Sequence, residues 1–174
     1  MRSYFPKEGN RRYWTPWYMT NVLRTAFLYG KVTVTEDLSG VIFVLPPKNN
    51  AISIWQYIRG GFFLSPYILG LRNYFRSMAC ESYADKVRHG EMGQEPYLYL
   101  WGLAVDPQRK ASGLGKALLA PLLDSADRDR LPIYLETHDK ANLAYYERFS
   151  FKLRKSEIVP KVNLPFWTMV RAPG

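Results

Sequence analysis

One segment constrains this chain more than any other: an apolar strand that runs through a short polar loop with two glycines straight into a helix. Tyr97 to Val105 is apolar nearly throughout, as in a central strand covered on both faces. The loop Asp106-Pro107-Gln108-Arg109-Lys110-Ala111-Ser112-Gly113 follows, with Gly115 just beyond it. Leu114, Leu118, Leu122 and Ala126 then recur at helical spacing over 113–128. A strand, a glycine turn and a helix in that order aim the free N–H groups of the first helical turn, and the positive end of the helix dipole, at one point. Such a point suits a phosphate or pyrophosphate.

Composition narrows the partner without naming it. At 174 residues the chain suits one domain, 1–174, with a core of its own. It is 47% hydrophobic and 22% charged, the composition of a folded protein. Cys80 is its one cysteine, so no internal disulfide is available, and no Cys or His cluster has metal-ligand spacing. No metal is expected, and a reducing, cytoplasmic location fits. The charged opening Met1-Arg2-Ser3 leads into Pro6-Lys7-Glu8, which is not the pattern of a signal peptide. The greasiest window, Gly60 to Leu71, is interrupted by Ser65-Pro66 and is too short to cross a bilayer, so no membrane partner is expected. A net charge of +9 favours an anionic partner, whether nucleic acid, a membrane surface or a polyphosphate.

Periodicity and turn residues predict a helix over about 10–29 stopped by Gly30, then strands over 31–35 and 41–45 joined as a hairpin and ended by Pro46-Pro47. Residues 53–89 read as helical, interrupted near Gly60-Gly61 and Pro66. Their aromatic side chains form either a core beneath a sheet or the lining of an apolar pocket. A linker over 90–96 precedes the central strand. Beyond the helix of 113–128, which Pro121 should bend, come a strand at 132–136, a short helix at 142–149 and closing strands at 151–158 and 165–170. The order is mixed α/β (α+β) with a largely antiparallel sheet.

The glycine loop is not a nucleotide P-loop, because the upstream glycine is missing and Ala117 replaces the magnesium-binding Ser/Thr. It is not a dinucleotide fingerprint either, since Leu118 occupies the third glycine position. Pro107 to Leu119 resembles instead the cofactor loop of the GNAT superfamily of acetyl-coenzyme A-dependent N-acetyltransferases, with Lys110 opening the (Gln/Arg)-x-x-Gly-x-Gly pattern. Pro132 to Thr137, followed by Asn142 to Phe151, is similar to the family's second motif. Within the family, the strand end Leu135-Glu136-Thr137, the spacing from Asn142 to Tyr146 and the closing Pro165, Trp167 and Met169 resemble the puromycin N-acetyltransferase-like branch. The resemblance covers about 97–172. It implies a GNAT-like mixed, largely antiparallel central sheet flanked by helices. Because the first convincing strand is 31–35, the usual first strand and helix are expected to be lacking.

The resemblance also implies a set of roles. Backbone N–H groups from Lys110, Ala111, Ser112, Gly113, Leu114 and Gly115 would bind the pyrophosphate of acetyl-coenzyme A, with Arg109, Lys110 and Lys116 adding charge unless they merely form a solvated basic loop. Leu103, Ala104 and Val105 would offer backbone groups to the pantetheine arm, and the Val105 N–H could polarise the thioester carbonyl. Tyr146 is the expected acid: a phenol with an ordinary pKa near 10 is protonated at neutral pH and can quench a departing thiolate. Asn142 is either a cofactor contact or the N-cap of its helix. Glu136 and His138, at a strand end facing the acceptor side, are candidate proton acceptors, with a structural ion pair the alternative for Glu136 and an exposed loop position that for His138. Two departures stand out. Ser150 replaces a glycine where a turn with positive φ would strain it, and Tyr99 occupies the place of a strand carboxylate that often serves as base.

The function so implied is acetyl transfer from acetyl-coenzyme A to a primary amine of a small molecule, by direct attack in a ternary complex, with a homodimer left open. A non-catalytic acyl-coenzyme A binding module is the alternative. A nucleic-acid binder ranks below both, because the basic residues are scattered and no nucleic-acid motif is present.

Overall fold

The computed structural model describes residues 8–109, 112–160 and 162–174, with side chains from residue 12 onward. Helix α1 (Glu8–Tyr29) leads into a hairpin of β1 (Lys31–Val34) and β2 (Gly40–Leu45). Helices α2 (Ile54–Arg59) and α3 (Ser65–Met92) follow, then β3 (Leu98–Val105), α4 (Leu114–Arg128), β4 (Ile133–Thr137), α5 (Ala141–Glu147), β5 (Lys152–Val159) and β6 (Leu164–Arg171). The strands form one six-stranded sheet in the order β1-β2-β3-β4-β6-β5. β3 and β4 run parallel, and the other neighbours are antiparallel. The expected mixed, largely antiparallel sheet is therefore present, and the first strand among the described residues begins at Lys31.

Alternation along the strands sorts the core onto two faces. Leu98 and Leu100 of β3 join Ile133 and Leu135 of β4 against Leu118 and Leu119 of α4. Tyr97 and Tyr99, one residue out of phase, point the other way and pack with Leu45 and Tyr134. On that second side lie α1, whose Val22 and Ala26 meet Phe43, and α3, whose Cys80, Ala84 and Val87 meet Leu164 and Phe166. The sheet thus separates α4 and α5 from α1 and α3.

Two expected boundaries move. Pro66 does not break a helix; it occupies the first turn of α3, where its missing N–H would have had no partner. The break lies instead at Gly70, whose φ of 73° kinks α3. The linker is shorter than 90–96, because α3 continues to Met92. No helix among the described residues is long and apolar enough to cross a membrane.

Candidate active site

β3 and β4 begin as a ladder and stop pairing after Leu100 and Leu135. β3 stays on β2 as far as Val105, while β4 stays on β6 as far as Thr137. Between the parting strands a slit opens, and the β4-facing edge of β3 over Leu103, Ala104 and Val105 has no strand opposite. A bulge marks the same place: Val44 pairs with Leu100 and Phe43 with Gly102, leaving Trp101 as an extra residue. Bulges of this kind bend a strand and end its pairing.

The C-terminal end of β3 leads to the start of α4. Gly113 takes φ +82°, a left-handed conformation that favours glycine, and no side chain caps the helix. The Ala117 N–H reaches the Gly113 carbonyl at 3.0 Å, so the N–H groups of Leu114, Gly115 and Lys116 precede the first intrahelical bond and point out of the helix end. A Cβ on Gly115 would lie 2.6 Å from the Tyr145 hydroxyl. Glycine there lets α5 close on α4, a packing reason that the sequence reading did not supply. The Tyr145 hydroxyl is itself buried and, among the described residues, without a hydrogen-bond partner.

The side chains of the loop are less committed to this point than its backbone. Arg109 pairs with Asp37 of the β1–β2 turn at 3.4 Å. The Ser39 hydroxyl, then Thr35, hold the Asp37 carboxyl down at about 2, with Arg109 adding to the effect. Ser112 donates its hydroxyl to the Arg109 carbonyl at 2.5 Å, and Lys116 is exposed. Lys110 and Ala111 lie outside the described residues.

On α5, Tyr146 packs edge-on against Tyr145 and Phe151 with ring centroids 5.2 and 5.5 Å away. Burial, reinforced by Tyr145, pushes its phenol pKa up, so it keeps its proton throughout the neutral range. Asn142 is not the N-cap of α5. It is the second helical residue, and the Asp139 carboxylate accepts instead from the Ala141 N–H at 3.0 Å. The Asn142 amide donates to Thr137 Oγ1 at 2.9 Å, tying α5 to the end of β4. His138 is no open loop residue: a ring nitrogen meets the Pro165 carbonyl at 2.7 Å and the ring lies on Phe166. Burial lowers its pKa and favours the neutral imidazole.

Glu136 sits on the α1–α3 side of the sheet with both oxygens engaged. One accepts from Arg88 Nη1 at 3.1 Å and the other from the Tyr99 hydroxyl at 3.1 Å. Arg88 also reaches Asp85 at 2.5 Å and lies over the Tyr99 ring, 4.6 Å from its centre. Burial pushes the Glu136 carboxyl up, and Arg88 opposes it. Burial works against the charge on Arg88, but Tyr99 and Glu136 outweigh it and hold the guanidinium charged. Of the two roles open to Glu136, the geometry realises the ion pair.

The residue that sequence reasoning passed over is Glu81. A cavity of about 430 Å³ lies between α1, α2, α3 and β3, walled by Tyr57, Phe62, Met78 and Trp101, with Glu81, Asp85 and Arg88 at its polar end. Glu81 accepts from Tyr18 at 3.3 Å and from Tyr57 at 3.5 Å. Burial, then Glu136, raise its pKa to about 7 against the pull of Arg88 and the two phenols. The aromatic segment of 53–89 thus lines a pocket. The one signal in the sequence was the helical spacing of Ser77, Glu81, Asp85 and Arg88, a polar stripe on an otherwise aromatic helix.

Comparison with known proteins gives a family match over part of the chain and a match of fold. Residues 74–151 match the model of the acetyltransferase (GNAT) family. Over 152 residues the chain is 26% identical to an uncharacterized N-acetyltransferase of Schizosaccharomyces pombe, covering 83% of this chain. The chain spans 60% of the length of that curated relative. Among solved structures, a histone acetyltransferase HPA2 and related acetyltransferase from Corynebacterium glutamicum matches with a TM-score of 0.58 at 14% identity, over 97% of this chain and 78% of that one. Chaetomium thermophilum Naa20, solved with a bisubstrate analogue, matches with a TM-score of 0.51 at 11% identity, over 91% and 72%. The two structural likenesses establish the fold.

Proposed function

We propose, from the match of residues 74–151 to the model of the acetyltransferase (GNAT) family, that the chain transfers an acetyl group from acetyl-coenzyme A to the primary amine of a small molecule. The observation that carries the proposal is the slit beyond Leu100 and Leu135, continuous along β3 with the uncapped glycine turn at Gly113. The N–H groups of Leu114, Gly115 and Lys116 would hold the pyrophosphate, as helix N-termini hold anions. The free edge of Leu103, Ala104 and Val105 would pair with the pantetheine amides, and the Val105 N–H would polarise the thioester carbonyl. Gly115, beside the buried and unpaired Tyr145 hydroxyl, leaves that hydroxyl as a further donor toward the same place.

Tyr146 supplies the proton that the departing thiolate takes. Its raised pKa keeps the phenol protonated until a strong base is generated next to it. Asn142, bonded to Thr137, fixes α5 against the slit and so positions Tyr146. A small-molecule acceptor is supported by the largely aromatic cavity on the far side of the sheet, with its polar end at Glu81, Asp85 and Arg88, and by the resemblance of Pro165, Trp167 and Met169 to the puromycin N-acetyltransferase-like branch.

The test is thiol release from acetyl-coenzyme A over a panel of amines, with wild type and Tyr146→Phe. The variant should keep its affinity for coenzyme A and lose about 100-fold in kcat. An unchanged kcat removes Tyr146 from the acid role, and no thiol from wild type with any amine removes the activity.

A further inference from the structure

We propose that Glu81 is the base of this reaction, taking a proton from the ammonium of an acceptor whose apolar body fills the cavity between α1, α2, α3 and β3. The inference rests on the acetyl-transfer reading and adds to it the acceptor's chemistry and the proton's destination.

Position comes first. Tyr99 and Trp101 line the cavity, and they flank Leu100, the last residue at which β3 pairs with β4. The floor of the cavity is therefore where the slit begins, and an amine held there faces a thioester arriving from the α4 side. The place that the family resemblance assigns to a strand carboxylate holds Tyr99, so a base has to come from another element.

Three carboxylates are close enough to be weighed. Glu136 has both oxygens committed to Arg88 and Tyr99. Asp85 is tied to Arg88 at 2.5 Å and its side chain is 49% exposed. Glu81 is held by two phenols, which donate without neutralising its charge. It faces Tyr18 of α1, Tyr57 of α2, Cys80 and Arg88 of α3, Tyr99 of β3 and Glu136 of β4, and Asp85 of α3 lines the same cavity. Burial and Glu136 keep a proton on it up to about pH 7. A carboxyl poised there can both take a proton from an ammonium and return it to water near neutrality.

The walls define the acceptor. Ile54 and Phe63 line the cavity yet are 56% and 63% exposed, so the mouth is apolar. The polar end carries two carboxylates against one guanidinium, which favours a cation in a chain whose overall charge is +9. A primary ammonium on an aromatic or aliphatic body satisfies both.

The step balances. Glu81 carboxylate takes one proton from the ammonium and becomes a carboxylic acid. The freed amine nitrogen bonds to the thioester carbon, and the carbon–sulfur bond breaks. Tyr146 gives its proton to the sulfur and regains one from the nitrogen, leaving an amide and a thiol. Glu81 then releases its proton to solvent.

The experiment measures thiol release by wild type, Glu81→Gln and Tyr57→Phe as a function of pH. The acceptors are benzylamine, 2-phenylethylamine and tryptamine, which arrive as ammonium ions, and O-benzylhydroxylamine, which arrives unprotonated. Calorimetry with coenzyme A is run on each protein. Wild type should show an acidic limb in kcat/KM near pH 7 with the amines. Glu81→Gln should lose about 100-fold or more on them, no more than about ten-fold on the alkoxyamine, and keep its affinity for coenzyme A. Tyr57→Phe removes a donor that favours the carboxylate, so the limb should move to higher pH. An unchanged rate in Glu81→Gln, an equal loss on all acceptors, or a limb that Tyr57→Phe leaves in place overturns the base assignment. Wild type that binds coenzyme A but acetylates none of these amines overturns the assigned acceptor while the acetyltransferase reading stands. A folded wild type that does not bind coenzyme A overturns that reading itself.

Discussion

The two faces of the sheet serve the same slit in opposite ways. On the α4–α5 face the site is built from backbone: a bulge at Trp101, an unpaired strand edge, a glycine turn and the open end of a helix, all above an apolar cluster. On the α1–α3 face it is built from side chains drawn from α1, α2, α3, β3 and β4, with Glu81, Arg88 and Glu136 largely removed from water. Backbone groups at a helix end exist in any helix and carry little cost when left to solvent. Buried charges oppose folding unless every partner is in place. Apart from Gly113 and Gly115, the exposed loop of the first face should therefore tolerate substitution and the buried charges of the second should not.

The largest expected effect breaks the second face. Arg88→Met leaves Glu136 buried without its counter-ion, and the denaturant midpoint should fall by the equivalent of about 3–5 kcal/mol; a loss as small as that of a surface substitution would show that the pair is solvated.

Next comes the pH dependence of stability. The folded-state pKa of Glu81 is about 7 against an ordinary 4.5, so the fold prefers its protonated form. Its contribution is fully present below pH 4.5, is lost as pH rises to about 7, and is constant above that. Wild type should lose a few kcal/mol between pH 5 and pH 8 relative to Glu81→Gln; parallel curves for the two proteins would contradict this.

The smallest effect concerns the first face, where the weak point is strain in place of charge. Ser150 sits at φ +65° between α5 and β5, and Ser150→Gly should raise stability by about 1 kcal/mol without changing coenzyme A affinity. A thermal midpoint that does not rise would mean that the serine is held there at no cost.

Legibility follows the same division. The strand, glycine turn and helix were visible because each is local, and the positive φ of Ser150 followed from a single replaced glycine. The partners of the buried charges were not local: Tyr18 lies 63 residues from Glu81 and Arg88 lies 48 from Glu136. No window of sequence contains those pairs, so nothing local marks Glu81 as buried among them. Of the two roles the sequence left open for Asn142, the cap is not realised for a related reason: Asp139, three residues earlier, lies at the same helix end and its carboxylate accepts from the Ala141 N–H there.

An amide NMR titration tests the two-faced site most directly. Coenzyme A should first shift Leu103, Val105, Leu114, Gly115 and Lys116, and an aromatic amine added afterwards should shift Tyr57, Glu81 and Trp101. If coenzyme A instead moves only scattered basic residues, or if both ligands perturb the same face, the sheet does not divide cofactor from acceptor and the account fails.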